Sequence, residues 1–149
     1  MNRRKFISTT CLTCVSGAML SNLLASCFSS HYVTGTLEPK GVSVPISEFL
    51  YPKEDKRQAH REFIIVYHDQ LEFPIYLYRI NENEFSALLM KCTHQGSELN
   101  AGGDHLYCSS HGSEFDKQGN VMHGPAEKNL RSFPTSTQNG KIIIELTKG

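Results

Sequence analysis

The sequence predicts an all-β domain of sandwich or small-barrel architecture, and three observations carry that expectation. Short runs rich in β-branched and aromatic residues recur from about residue 32 onward. Turn signals at Asn81-Glu82-Asn83, Lys117-Gln118-Gly119-Asn120 and Gln138-Asn139-Gly140 separate them. Helical character is confined to a polar turn or two between Pro52 and Arg61. The predicted strands are, in order, Tyr32 to Thr36, Val42 to Ile46, Phe63 to His68, Ile75 to Ile80 and Phe85 to Lys91. Leu106 to Tyr107, Glu114 to Asp116, Arg131 to Thr135 and Lys141 to Leu146 complete the set. Neither an internal repeat nor a low-complexity segment interrupts them.

Length and composition bound the function. At 149 residues and 16.7 kDa the chain holds one domain, not a large catalytic domain beside a second one. Hydrophobic residues at 39% and charged residues at 20% exclude a polytopic membrane protein, a coiled coil and a mostly disordered chain. Lys+Arg and Asp+Glu both number 15, so no basic excess is available for nucleic acid, and none is expected as a partner. The charges are unevenly placed. Arg3, Arg4 and Lys5 open the chain and every acidic residue lies at Glu38 or later, leaving 12 basic against 15 acidic residues after residue 27.

Residues 1–27 read as an export signal: a basic start, an apolar stretch from Phe6 through Leu24, then small residues before a cleavage point. Asn2-Arg3-Arg4-Lys5-Phe6-Ile7 resembles the twin-arginine signal, whose pathway moves folded, often cofactor-loaded proteins. Leu24-Ala25-Ser26-Cys27 resembles a bacterial lipobox, in which Cys27 becomes the lipidated first residue. An extracytoplasmic bacterial protein held to a membrane by its N-terminus is expected, with retention of the leader as an uncleaved anchor as the alternative. Residues 28–33 read as a tether and 34–149 as the functional domain. Cys11 and Cys14 lie inside the apolar signal and are read as bystanders.

The chemistry sits in Cys92-Thr93-His94-Gln95-Gly96 and Cys108-Ser109-Ser110-His111-Gly112. Each segment offers one thiolate and one imidazole, and 13 intervening residues, 95 to 107, allow two loops to meet at one site. Two sulfur and two nitrogen ligands suit either zinc or an iron-sulfur centre in which two histidines replace two cysteines on one iron. Common zinc fingers place both cysteines before both histidines, whereas each loop here carries one of each.

That order, with Gly96 and Gly112 after the histidines, the stretch His111-Gly112-Ser113-Glu114-Phe115-Asp116 and a later Gly124-Pro125-Ala126, resembles the Rieske family. The resemblance is close over Lys91 to Leu130. It implies an antiparallel β-sandwich with a small cluster-binding subdomain at about 91–130, and one [2Fe-2S] cluster per chain. Cys92 and Cys108 would bind one iron and His94 and His111 the other, with Gly124-Pro125-Ala126 covering a third side. Fewer anionic ligands than in an all-cysteine cluster make the reduced state easier to reach.

One departure matters. The quinol-oxidising branch carries two further cysteines that tie its loops by a disulfide, and a tyrosine in the serine-x-tyrosine stretch. Here Ser97, Ser110 and Phe115 stand at those positions, leaving Ser113 as the hydroxyl able to donate to the cluster.

Among other candidates, His60, His68, His105 and His123 are read as surface residues. Tyr32, Tyr51, Tyr67, Tyr76, Tyr78 and Tyr107 are read as core and sheet packing. No nucleophile elbow, phosphate-binding loop or second metal motif accompanies the two loops. The expected role is therefore electron relay without catalysis of its own. The carrier would be membrane-tethered, free or as the iron-sulfur subunit of a respiratory oxidoreductase resembling quinol-cytochrome c reductase or arsenite oxidase. Its partners would then be a cytochrome, quinol-oxidising subunits or a molybdenum enzyme. The alternatives are a Rieske ferredoxin component of an oxygenase system and a lipoprotein that uses the cluster as a structural staple.

Overall fold

Phe63-Ile64-Ile65-Val66 and Ile75-Tyr76-Leu77-Tyr78 are apolar without interruption, a pattern that buries both faces of a strand. Both segments lie in the middle of the fold. The computed structural model describes residues 30–51 and 60–146. The leader with Cys27, the first two tether residues and most of the predicted helical turn lie outside the described residues.

The first strands are β1 (Tyr32–Thr34), β2 (Thr36–Glu38), β3 (Gly41–Pro45), β4 (Phe63–Tyr67), β5 (Ile75–Arg79) and β6 (Phe85–Leu89). There follow β7 (Asn100–Ala101), β8 (His105–Tyr107), β9 (Glu114–Asp116) and β10 (Val121–His123). The chain ends on β11 (Ser132–Phe133), β12 (Thr135–Gln138) and β13 (Lys141–Glu145). A 3-10 turn, Ile46–Phe49, follows β3.

Three sheets form three layers. The central sheet has the order β1-β4-β5-β6-β11, the outer sheet β12-β13-β3-β2 and the third β10-β9-β8-β7. Side-chain alternation divides the central strands between two cores. Ile64, Val66, Ile75 and Leu77 meet Val42, Val44, Ile142 and Ile144 of the outer sheet. Phe63, Ile65, Tyr76 and Tyr78 meet Leu106, Phe115 and Leu130 of the third layer. Burying each such side chain contributes about 1.5–3 kcal/mol, so the third layer is held on by a core of its own.

Edge strands pass from one sheet to the other at both corners. β1 and β2 are separated only by Gly35, where a Cβ would stand 2.1 Å from Val42 Cγ1, so only glycine lets the chain turn there. β11 and β12 are separated by Pro134. The predicted strands Tyr32 to Thr36 and Arg131 to Thr135 are each split by these corners. β7 and β10 were not expected from sequence; at two and three residues they are too short to show a period of two.

The sheets are built of antiparallel pairs, as expected, except that the edge strand β1 pairs in parallel with β4, Tyr32 opposite Ile65. The β2–β3 hairpin supplies the long connection that a parallel pair requires. Tyr32 and Val33, expected in the tether, belong to β1, and Val33 is buried in the first core. Of the tyrosines, Tyr76 and Tyr78 are buried, but Tyr32, Tyr67 and Tyr107 stand exposed on their strands.

Candidate metal centre

β6 runs out of the central sheet at Leu89, and the chain returns to that sheet only at β11. Between them lie both cysteine-histidine segments, which fold alike. In the first, the Cys92 N–H donates to Ser97 O (2.8 Å) and the Gly96 N–H to Cys92 O (2.9 Å). In the second, the Cys108 N–H donates to Ser113 O (2.8 Å) and the Gly112 N–H to Cys108 O (2.9 Å). Each loop closes through a glycine in the left-handed region, φ +78° at Gly96 and +80° at Gly112, which costs an L residue about 1–2 kcal/mol.

Depth sorts the donors by element, not by loop. Cys92 and Cys108 are buried in the second core, 2% and 1% exposed, and neither forms a disulfide. His94 is half-buried and His111 exposed, with ring centroids 4.9 Å apart and edge-to-face at 85°. Burial pushes the Cys108 thiol up. Backbone N–H groups of His111 and Ser110, with the Cys92 and Ser110 side chains, outweigh it and hold the thiol below its ordinary value.

His94 Nδ1 is buried without a hydrogen-bond partner, the one such side-chain atom among the described residues. Leaving a polar atom so costs about 1–3 kcal/mol, an arrangement that fits a nitrogen meant for a metal. No group of three or more His, Cys, Asp or Glu side chains among the described residues surrounds a single point. Two buried sulfurs and two outer imidazoles form a donor set that suits a two-iron cluster of mixed ligation.

A third segment closes over the two loops. Gly124-Pro125 is a cis peptide, and the buried Ala126 N–H donates to Ser113 Oγ at 3.0 Å. Thr93 Oγ1 donates to Lys128 O at 2.6 Å, so the segment is bonded to both loops. Ser113 is wholly buried; with its oxygen accepting from Ala126, the hydroxyl proton is left to donate. Phe115 is wholly buried in the same core as both cysteines.

Sequence reasoning missed the parts that hold this third segment. Burial pushes the Asp116 carboxyl up, but the Asn120 side chain and the N–H groups of Asn120, Gln118 and Gly119 bond to it and hold it below the usual carboxylate value. Asn129 continues the network, donating to Asn120 Oδ1 (3.0 Å) and accepting from the Val121 N–H (3.1 Å). An acidic residue three positions before a glycine in a turn was the available signal. Tyr76 was likewise read only as packing. Burial first, then Tyr78, Asp104 and Glu62, raises its hydroxyl far above the ordinary value, so it stays protonated and donates to Gly103 O.

Residues 52–134 match the Rieske [2Fe-2S] domain family. The chain belongs to that family. As a Rieske protein it carries one [2Fe-2S] cluster per chain. It is 37% identical over 84 residues to the oxygenase component of dicamba O-demethylase from Stenotrophomonas maltophilia, covering 50% of this chain and 25% of that protein. It is 40% identical over 55 residues to the cytochrome b6-f complex iron-sulfur subunit 1 of Nostoc, covering 36% and 31%. The chain therefore spans about a quarter to a third of these curated relatives. Among solved structures, the plasma membrane Rieske protein of Synechocystis PCC 6803 matches with TM-score 0.50 and 25% identity, over 56% of this chain and 86% of that one. A chain of a hyperthermophilic respiratory complex III shares the fold, with TM-score 0.51 and 19% identity over 92% and 98%.

The hydroxyl donors give a first expected result. A hydrogen bond worth about 1 kcal/mol more to the reduced than to the oxidised state raises a one-electron potential by about 40 mV. Voltammetry of Ser113→Ala should show a fall of that order and Phe115→Tyr a rise, with the wild type below the top of the Rieske span of about −150 to +300 mV. An unmoved potential in both variants would remove these side chains from the cluster's surroundings.

Proposed function

We propose that Cys92, His94, Cys108 and His111 hold the cluster, the thiolates on the inner iron and the imidazoles on the outer. The protein is a Rieske-type electron carrier exported across the cytoplasmic membrane and tethered to it by its N-terminus. It acts free or as the iron-sulfur subunit of a respiratory oxidoreductase of the quinol-cytochrome c reductase or arsenite oxidase kind. When bound, the cluster supplies a one-electron redox centre. The chain's own residues insulate its sulfur side: Cys92 and Cys108 lie within the second core, and Ala126 with Ser113 seals the third side. His111 stands exposed beside His94, so a partner reaches the imidazole edge first.

The observation that carries the ligand assignment is the orphaned, buried His94 Nδ1 beside His111, on loops whose two cysteines are buried and unbridged. Export rests on Arg3-Arg4 and on the Leu24-Ala25-Ser26-Cys27 stretch. A twin-arginine route suits a protein whose cluster is assembled before it crosses the membrane. Arg3→Lys with Arg4→Lys should leave cluster-loaded protein in the cytoplasm, and Cys27→Ala should accumulate uncleaved precursor. Cell fractionation with immunoblotting reads both, and normal export of the double variant would remove the twin-arginine route.

The second reading, a Rieske component serving an oxygenase, is favoured by the 37% identity to the dicamba demethylase component. Reduction assays separate the two. A membrane-tethered respiratory carrier is reduced by a quinol-oxidising or arsenite-oxidising partner, whereas an oxygenase component is reduced by a cytoplasmic flavin reductase with NADH.

A further inference from the structure

Lys91 directly precedes Cys92, and its side chain is held on three sides. Nζ lies 3.2 Å from Glu72 Oε2 and 4.9 Å from the Phe73 ring centroid. Cε stands 3.3 Å from the place a Cβ on Gly96 would take. The stem therefore lies along the first cysteine-histidine loop, from its base to its closing glycine. A lysine serving only solubility keeps its rotamer freedom in water, and folding it back costs side-chain entropy. Its side chain is 39% exposed against 76% for Glu72, so the cation is the less screened of the pair.

We infer that Lys91 is a positioning residue that tunes the potential of the centre, with Glu72 as its opposing counter-charge. Reduction adds one negative charge to the cluster. Lys91 adjoins Cys92 in the chain and its stem lies against Gly96 of the same loop. A cation held there stabilises the added charge, because unit charges even ~10 Å apart at an effective dielectric of ~20 attract by more than thermal energy. Glu72 stabilises the oxidised state by the same rule, more weakly because water screens it more. Two side chains in contact thus act on one equilibrium with opposite signs. The inference rests on the ligand assignment above.

Voltammetry on cluster-loaded Lys91→Met, Glu72→Gln and Lys91→Arg, each with its iron content measured, tests this. Methionine keeps the apolar stem against Gly96 and loses the charge. Glutamine keeps an oxygen for Nζ and loses the charge. Relative to the wild type at a fixed potential, Lys91→Met should lower the ratio of reduced to oxidised protein by about threefold to tenfold. Glu72→Gln should raise it, and Lys91→Arg should restore the wild-type value. Both shifts should shrink as salt is added. An unmoved potential in Lys91→Met would make the lysine a packing residue only, and shifts of the same sign in Lys91→Met and Glu72→Gln would overturn the electrostatic account. A wild-type protein without iron would overturn the ligand assignment itself, and the iron content separates that failure from the others.

Discussion

With Cys108 as a proposed ligand, Cys108→Ser should yield a colourless protein that has lost both irons and both sulfides and melts more than about 10 °C below the wild type. The serine is nearly isosteric, so the cavity term is small. What changes is the ligand: a hydroxyl does not ionise at neutral pH and is too hard a donor to replace a thiolate on iron. Cys108 is 1% exposed, and the N–H groups of Ser110 and His111 that favour its thiolate would face a neutral oxygen instead. Cluster binding is also folding energy, because a bound centre ties the two loops to each other in the native state alone. In the branch with a disulfide a second tie remains; here Cys92 and Cys108 are free and no such tie exists among the described residues. Iron and sulfide analysis with a thermal melt checks both effects. Cys27→Ala serves as the control that keeps its cluster, and full iron occupancy in Cys108→Ser would remove Cys108 from the ligand set.

Leu106→Ala separates the two cores. Leu106 is wholly buried on β8 in the same core as both cysteines, whereas Ile64 is wholly buried on β4 in the other core. Truncating either to alanine costs about 2–5 kcal/mol, yet the consequences differ by layer. The Leu106 cavity lies between the central sheet and the third layer, so the third layer loosens first and cluster absorbance is lost at lower denaturant than the β-sheet signal. The Ile64 cavity lies between the central and outer sheets, so Ile64→Ala loses absorbance and sheet together. Denaturant titration followed by visible absorbance and far-UV circular dichroism distinguishes them. Coincident transitions in Leu106→Ala would show that the three layers unfold as one unit.

Much of this protein was legible in the sequence because its signals are local. Strand-forming runs between turn residues located most of the strands, since propensity and turn chemistry act over a few residues. Cys92, His94, Cys108 and His111 marked a candidate metal centre by spacing, and Gly96 and Gly112 announced the positive φ each loop requires. Tertiary structure alone decided what depends on partners distant in the chain. That β1 runs parallel to β4, and that Gly35 and Pro134 are corners between sheets, follows from which strands meet, and propensity carries no record of that. The same holds for Thr93 reaching Lys128 O across 35 residues, for Ala126 bonding Ser113, and for Lys91 lying along Gly96 toward Glu72. Sequence by itself marked the two thiols and two imidazoles as candidate ligands. Packing decided that the sulfurs lie deep and the imidazoles at the surface, because only the assembled second core excludes water from Cys92 and Cys108 while leaving His111 exposed.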